Sequence, residues 1–143
     1  MSFDLKIQNG DLVLKNGQPQ TVVDSEKLIQ SILKICLTEA GSNPFHPWYG
    51  SFLSRTIIGN PQHSGILVQV AKSQLNTTLE NLKSLQDGQS RTFQRVSADE
   101  QISAITEISV VKSQIDPRWF DVRIGVLSKG FKPITTAFSI STI

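Results

Sequence analysis

Cysteine is nearly absent from this chain: Cys36 stands alone in 143 residues. One thiol can form no internal disulfide, so the fold is expected not to depend on an oxidising compartment. Histidine is almost as scarce. His46, His63 and Cys36 share no metal-ligand spacing, neither i, i+4 nor C-x-x-C, and no metal site is expected. An excess of one charge is also missing. The 14 basic and 12 acidic residues leave a net charge of +2, which supplies no clustered basic field for nucleic acid. Arg91 and Arg95 flank Phe93, a triplet able to stack on a base, but without a wider basic stripe it reads as a solvated connector. No run approaches the ~20 apolar residues of a membrane-spanning helix. Residues 1–8 alternate polar with apolar and carry Asp4, unlike a secretory signal. Neither G-x-G-x-x-G nor G-x-x-x-x-G-K occurs, so no nucleotide and no cofactor is expected. No serine sits in G-x-S-x-G; Ser64-Gly65 follows Gln62-His63 instead.

What remains is a soluble-type composition, 38% apolar and 18% charged. A chain of this length buries a sizeable core as one domain, 1–143. Its first part, 1–23, reads as β structure. Phe3, Leu5 and Ile7 alternate with polar residues, and Asn9-Gly10 and Asn16-Gly17 are strong hairpin signals. A helix is expected over 24–40, capped by Asp24 or Ser25 and stopped by Gly41. Leu28, Ile29, Ile32, Leu33, Ile35 and Cys36 form its apolar stripe. Residues 51–58 suggest a short helical turn. Asn60-Pro61 is expected to open the longest helix, 60–87, ended by Asp87-Gly88, with a connector over 89–100.

From 104 to 143 the pattern returns to period two. Ile108 and Val110 alternate first. Phe120, Val122, Ile124 and Val126 follow after a turn at Asp116-Pro117, and Ile134, Thr136, Phe138 and Ile140 after one at Lys129-Gly130. The expected fold is α+β: a short N-terminal hairpin arm and a C-terminal three-stranded antiparallel meander, packed by two main helices. Leu28, Ile32, Leu33 and Cys36 should meet Val122, Ile124 and Phe138.

The loop over 41–50 is unusual. Two prolines and two glycines exclude regular structure, yet Phe45, Trp48 and Tyr49 crowd into it. Loops run over the surface and are normally polar. Three aromatics therefore mean a loop that folds back on the core or meets a partner. Beside it stands Glu39. Glycoside hydrolysis needs two carboxyl groups, one protonated and one ionised. Glu39 with a second acid, such as Asp99 or Glu100 far along the chain, is a candidate pair, but any chain with 12 acidic residues offers such pairs.

The segment 31–50 resembles the baseplate wedge family of contractile phage tails. Members carry a helix ending in leucine, threonine and glycine, then a proline, an aromatic and a glycine. Here these are Leu37, Thr38, Gly41, Pro47, Tyr49 and Gly50. The run Asn9-Gly10-Asp11-Leu12-Val13-Leu14 is similar to the short strand that precedes the same helix in that family. A type VI secretion baseplate component has the same shape. In order and spacing the resemblance covers 4–140. One departure stands at Asp99-Glu100-Gln101, where family members carry Glu-Pro-Arg: an acid is kept, while proline and arginine are gone.

The resemblance implies a structural virion component without catalysis, located in the tail baseplate and in the host cytoplasm during assembly. Its partners would be the helical core bundle of the larger wedge subunits and the tail sheath protein, whose first ring it would help to start. It would be present in several copies per baseplate, with no nucleic acid and no membrane as partners. Pro47, Trp48, Tyr49 and Gly50 are the expected partner-binding loop. Asp99 and Gln101 are candidates for an altered family contact. Some members carry a lysozyme label, so the alternative reading is a peptidoglycan hydrolase of the tail.

Overall fold

The computed structural model describes residues 3–53, 55, 64–92, 96–116 and 118–141. The expected features at Ser54, Ile58, Asn60-Pro61, His63, Phe93, Arg95 and Pro117 lie outside them.

The N-terminal arm contains six two-residue strands, β1 (Asp4–Leu5), β2 (Ile7–Gln8), β3 (Asp11–Leu12), β4 (Leu14–Lys15), β5 (Gln18–Pro19) and β6 (Thr21–Val22). Asn9, Gly10, Asn16 and Gly17 all have φ between 53° and 79°, as type I′ turns require. The arm is nevertheless not a linear meander. β1 pairs with β6, β2 with β3 and β4 with β5. At the centre, Lys6 N–H donates to Gln20 O at 2.8 Å, Gln20 N–H to Val13 O at 2.9 Å, and Val13 N–H to Lys6 O at 3.1 Å. This closed ring of backbone bonds, at seven-residue intervals, ties three short ladders into one knot.

The arm docks on α1 (Asp24–Leu37) through Gln30, which is buried. Its Oε1 accepts Ile7 N–H at 2.9 Å; its Nε2 donates to Leu5 O at 2.7 Å and Asp4 Oδ2 at 3.0 Å. Lys34 adds an ion pair to Asp4 at 2.7 Å.

Helix α1 differs from the sequence reading at both ends. Its N-cap is the extended Val23, with no side-chain cap. The Asp24 carboxylate instead accepts Ser97 Oγ–H at 2.8 Å, a partner 73 residues away. The helix stops at Leu37 rather than 40, because Thr38 turns extended and its hydroxyl donates back to Lys34 O at 2.5 Å.

Helix α2 (Ser64–Arg91) continues past Asp87-Gly88. One glycine costs a helix only about 1 kcal/mol. The next turn holds: Ser90 Oγ–H donates to Asp87 O at 2.9 Å and Thr92 N–H to Gly88 O at 3.3 Å. A 3-10 turn, Ala98–Glu100, leads into the sheet.

The sheet order is β7 (Ile102–Lys112), β8 (Trp119–Ser128), β9 (Pro133–Ser141), antiparallel throughout. Phe120, Val122, Ile124 and Val126 are buried on one face of β8, with Val110 and Ile134 from its neighbours. α2 packs over β7; α1 packs on α2, the 3-10 turn and β9. Leu28, Ile32, Ile35 and Cys36 enter the common core with Leu75 and Leu79, and Phe138 packs at its edge. Leu33 is the exception. It stays half-buried outside the core, because its side of the helix faces the arm, where it lines a cleft with Ile7 and Val22. Gln86 is buried among these apolar residues. Its Oε1 accepts Ile102 N–H at 2.8 Å and its Nε2 donates to Glu100 O at 3.1 Å, which fixes the start of β7.

Candidate functional site

The loop between the helices is closed by its own backbone. Glu39 and Ser51 form a parallel bridge. Ala40 N–H donates to Ser51 O at 3.1 Å and Ser51 N–H to Thr38 O at 2.8 Å. Ser51 Oγ–H, buried, donates to Cys36 O at 2.6 Å. Gly50 makes the bridge possible. Its φ is 117°, and a Cβ there would lie 2.6 Å from Thr38 O and 2.9 Å from Ala40 N. Only glycine fits so close a backbone crossing.

Within the closed loop, Asn43 Oδ1 accepts Phe45 N–H at 3.0 Å and His46 O accepts Tyr49 N–H at 3.0 Å. The aromatic rings fan outward edge to face. His46 and Trp48 centroids are 5.7 Å apart, Trp48 and Tyr49 6.2 Å, within the favoured range for such pairs. The two expected contact residues then part company. Tyr49 is half-buried against the core; burial, then the nearby Asp4 carboxylate, push its phenol pKa up. Trp48 remains 43% exposed and Phe45 86%.

Trp48 forms one wall of a cavity of about 590 Å³, whose other wall is the α2 face of Asn81, Ser84, Leu85, Gly88 and Gln89. Among the described residues, no charged group lines it. A second cleft of about 320 Å³ shares Leu85 and Gln89 and contains Asp4, Lys27, Lys34 and Glu100. Its charges are matched internally, Lys34 with Asp4 at 2.7 Å and Lys27 with Glu100 at 3.7 Å.

No family model matches the chain, and no curated protein matches it. A solved structure does. The crystal structure of the "putative tail lysozyme" of Geobacter sulfurreducens matches at a TM-score of 0.62, with 10% identity over 93% of this chain and 97% of that one. The chain shares that protein's fold.

Glu39 and Asp99 line neither cavity, and the two carboxylates that share the second cleft, Asp4 and Glu100, are each paired with a lysine. Glu39 pairs with Arg55 at 2.6 Å on the surface and lines neither cavity. Glu100 is buried, accepting Ser97 N–H at 3.3 Å beside Lys27. Asp99 pairs with Lys132 at 3.1 Å. Among the described residues, no group of three His, Cys, Asp or Glu could hold a metal ion. No described helix is long and apolar enough to cross a membrane.

The candidate partner residues thus fall into two places. Pro47, Trp48, Tyr49 and Gly50 form the closed loop. Asp99 and Gln101 lie under the β8–β9 turn and hold it: Gln101 is buried, its O accepts Lys129 N–H at 3.0 Å, and its Oε1 accepts Lys129 Nζ at 2.7 Å. Gln86 was legible as a polar residue in line with Leu75, Leu79 and Leu82, and that spacing could have marked it as a buried tie. The exposed Phe131 in the β8–β9 turn carries no such signal.

Proposed function

We propose that this chain is a structural, non-enzymatic subunit of a phage tail baseplate. It binds the larger wedge subunits and helps to start the tail sheath around the tube. The observation that carries this reading is the closed loop that holds Trp48 exposed over an uncharged cavity on α2. A rigid aromatic loses little freedom when a partner covers it, and aromatics of this kind anchor interfaces. The sheet supports the sheath role, since it ends at β7 and β9 and an edge strand can be extended by a partner's strand. The fold likeness to a protein named a tail lysozyme is in keeping with a place in the virion tail, reached from the host cytoplasm during assembly. The Glu39–Arg55 ion pair lies on the surface, and the two carboxylates that share the second cleft, Asp4 and Glu100, are each paired with a lysine; both facts favour this reading over hydrolysis, which needs one protonated and one ionised carboxyl group.

The test is mass spectrometry of purified particles alongside two variants. The chain is expected at a fixed copy number. Trp48→Ala should melt within about 2 °C of wild type, a change of under about 1 kcal/mol, and fail to enter particles. Tyr49→Ala should melt several degrees lower, because its ring supports the core. Absence of the chain from particles refutes the proposal. So does peptidoglycan cleavage by the purified chain that Glu39→Gln abolishes.

A further inference from the structure

Phe131, in the turn between β8 and β9, combines two features that an isolated protein has no use for. Its ring is 82% exposed, and its backbone sits at φ 61°. Exposure alone carries little, because single apolar residues are common on protein surfaces. The backbone angle carries more. A left-handed conformation presses the Cβ of an L-residue against its own carbonyl, and for a bulky residue it is an outlier.

A glycine stands next to it, yet Gly130 is not the left-handed residue. It serves space instead: a Cβ on Gly130 would run into the Asp99 carboxylate. The left-handed residue of the turn is Phe131.

The turn cannot relax out of this geometry. Phe131 N–H donates to Ser128 O and Ser128 N–H to Lys132 O, each at 3.0 Å. The fully buried Ser128 also accepts Lys132 N–H on its Oγ at 3.1 Å. Lys129 is fastened to Gln101 through backbone and side chain, and to Asp87 at 2.9 Å. Lys132 reaches Asp99 at 3.1 Å. Both lysines beside the ring are matched by acids from the same chain. The phenyl group thus projects from a stiff platform with its charges balanced.

We propose that Phe131 is a preorganised anchor that inserts into an uncharged, apolar socket on a neighbouring tail subunit. Strained backbone persists where the surroundings over-determine it, and it clusters at functional contacts. A backbone already fixed in place gives up little entropy when the ring is buried. The balanced platform selects an apolar partner over a charged one. This inference rests on the tail assignment above, but it concerns a different face from the Trp48 loop.

The experiment uses Phe131→Asn and a photo-crosslinking Phe131→benzoylphenylalanine, each in the full chain and followed into purified particles. Asn tolerates the left-handed angle. Phe131→Asn should therefore melt at or above the wild-type temperature while its copy number in particles falls tenfold or more. The benzoylphenylalanine variant should crosslink to apolar residues of another tail protein. Normal incorporation of Phe131→Asn overturns the anchor and leaves the tail assignment standing. A melting temperature lowered by several degrees, with no crosslink from position 131, overturns it as well and makes Phe131 a residue of the fold. Absence of the wild-type chain from particles overturns both proposals together.

Discussion

Replacing Gly50 by alanine tests how the aromatic loop is held, and Gly41 supplies the control. Both are left-handed, at φ 117° and 88°. A Cβ on Gly41 would meet nothing within 4 Å, so Gly41→Ala costs only backbone strain, about 1 kcal/mol. On Gly50 the same atom would lie 2.6 Å from Thr38 O, 2.9 Å from Ala40 N and 2.9 Å from Glu39 C. All three are backbone atoms, and they belong to the segment paired with Ser51. Making room means separating the two chains and losing the bonds of 3.1 Å and 2.8 Å that join them. Two such bonds are worth about 2 kcal/mol together. With the strain added, Gly50→Ala should cost about 3 kcal/mol. For a chain of this size that is a fall in melting temperature of roughly 10 °C, against roughly 3–4 °C for Gly41→Ala. Thermal melts followed by tryptophan fluorescence would read both. Equal shifts for the two variants would refute the close backbone crossing as the reason for glycine at 50.

Urea titration of Ile32→Ala should show a loss of about 2–5 kcal/mol, whereas Leu33→Ala, outside the core, should lose less than about 1.5 kcal/mol; the reverse order would mean that the helix faces the other way. Burial pushes the Cys36 thiol pKa up to about 12, so a disulfide reagent at pH 8 should label it only after unfolding, and rapid labelling of the folded chain would contradict that. Burial works against the Asp4 carboxylate, but bonds from Lys34, Gln30 and Leu5 N–H outweigh it and hold the pKa below the ordinary 3.8. Its ionised form therefore adds stability above about pH 4, which fades as the pH falls through the lower folded value. Stability of the wild type should drop more steeply below pH 4 than that of Asp4→Asn, and parallel pH profiles would show that the Asp4–Lys34 contact contributes nothing.

Periodicity carried most of the architecture. The alternation Phe120, Val122, Ile124, Val126 depends only on the two-residue repeat of a strand, and those residues are buried as that repeat requires. The Asn-Gly pairs marked turns whose left-handed angles are local properties of those residues. Helix ends were less legible, because distant partners set them. Asp24 reads as a cap from its neighbours, but Ser97 takes its carboxylate. Asp87-Gly88 reads as a stop, but Asp87 is held by Lys129 from the β8–β9 turn and the helix continues to Arg91.

The candidate site divides along the same line. The order of residues placed three aromatics in a loop rich in proline and glycine, and the residue types limited how that loop could bend. The split between Trp48 and Tyr49 was decided in three dimensions. Tyr49 packs on the core while Trp48 faces the cavity on α2, and α2 begins more than ten residues further along the chain. Nor could local pattern foretell the knot of the arm, whose ring of bonds joins Lys6, Val13 and Gln20, or the strained angle of Phe131. Local pattern settled the order of elements, the α+β class and the faces that are apolar, because each depends on residues a few positions apart. Tertiary structure decided which polar groups are buried, where helices stop and which aromatics stay exposed, because each depends on a hydrogen bond, an ion pair or a backbone contact with a segment far along the chain.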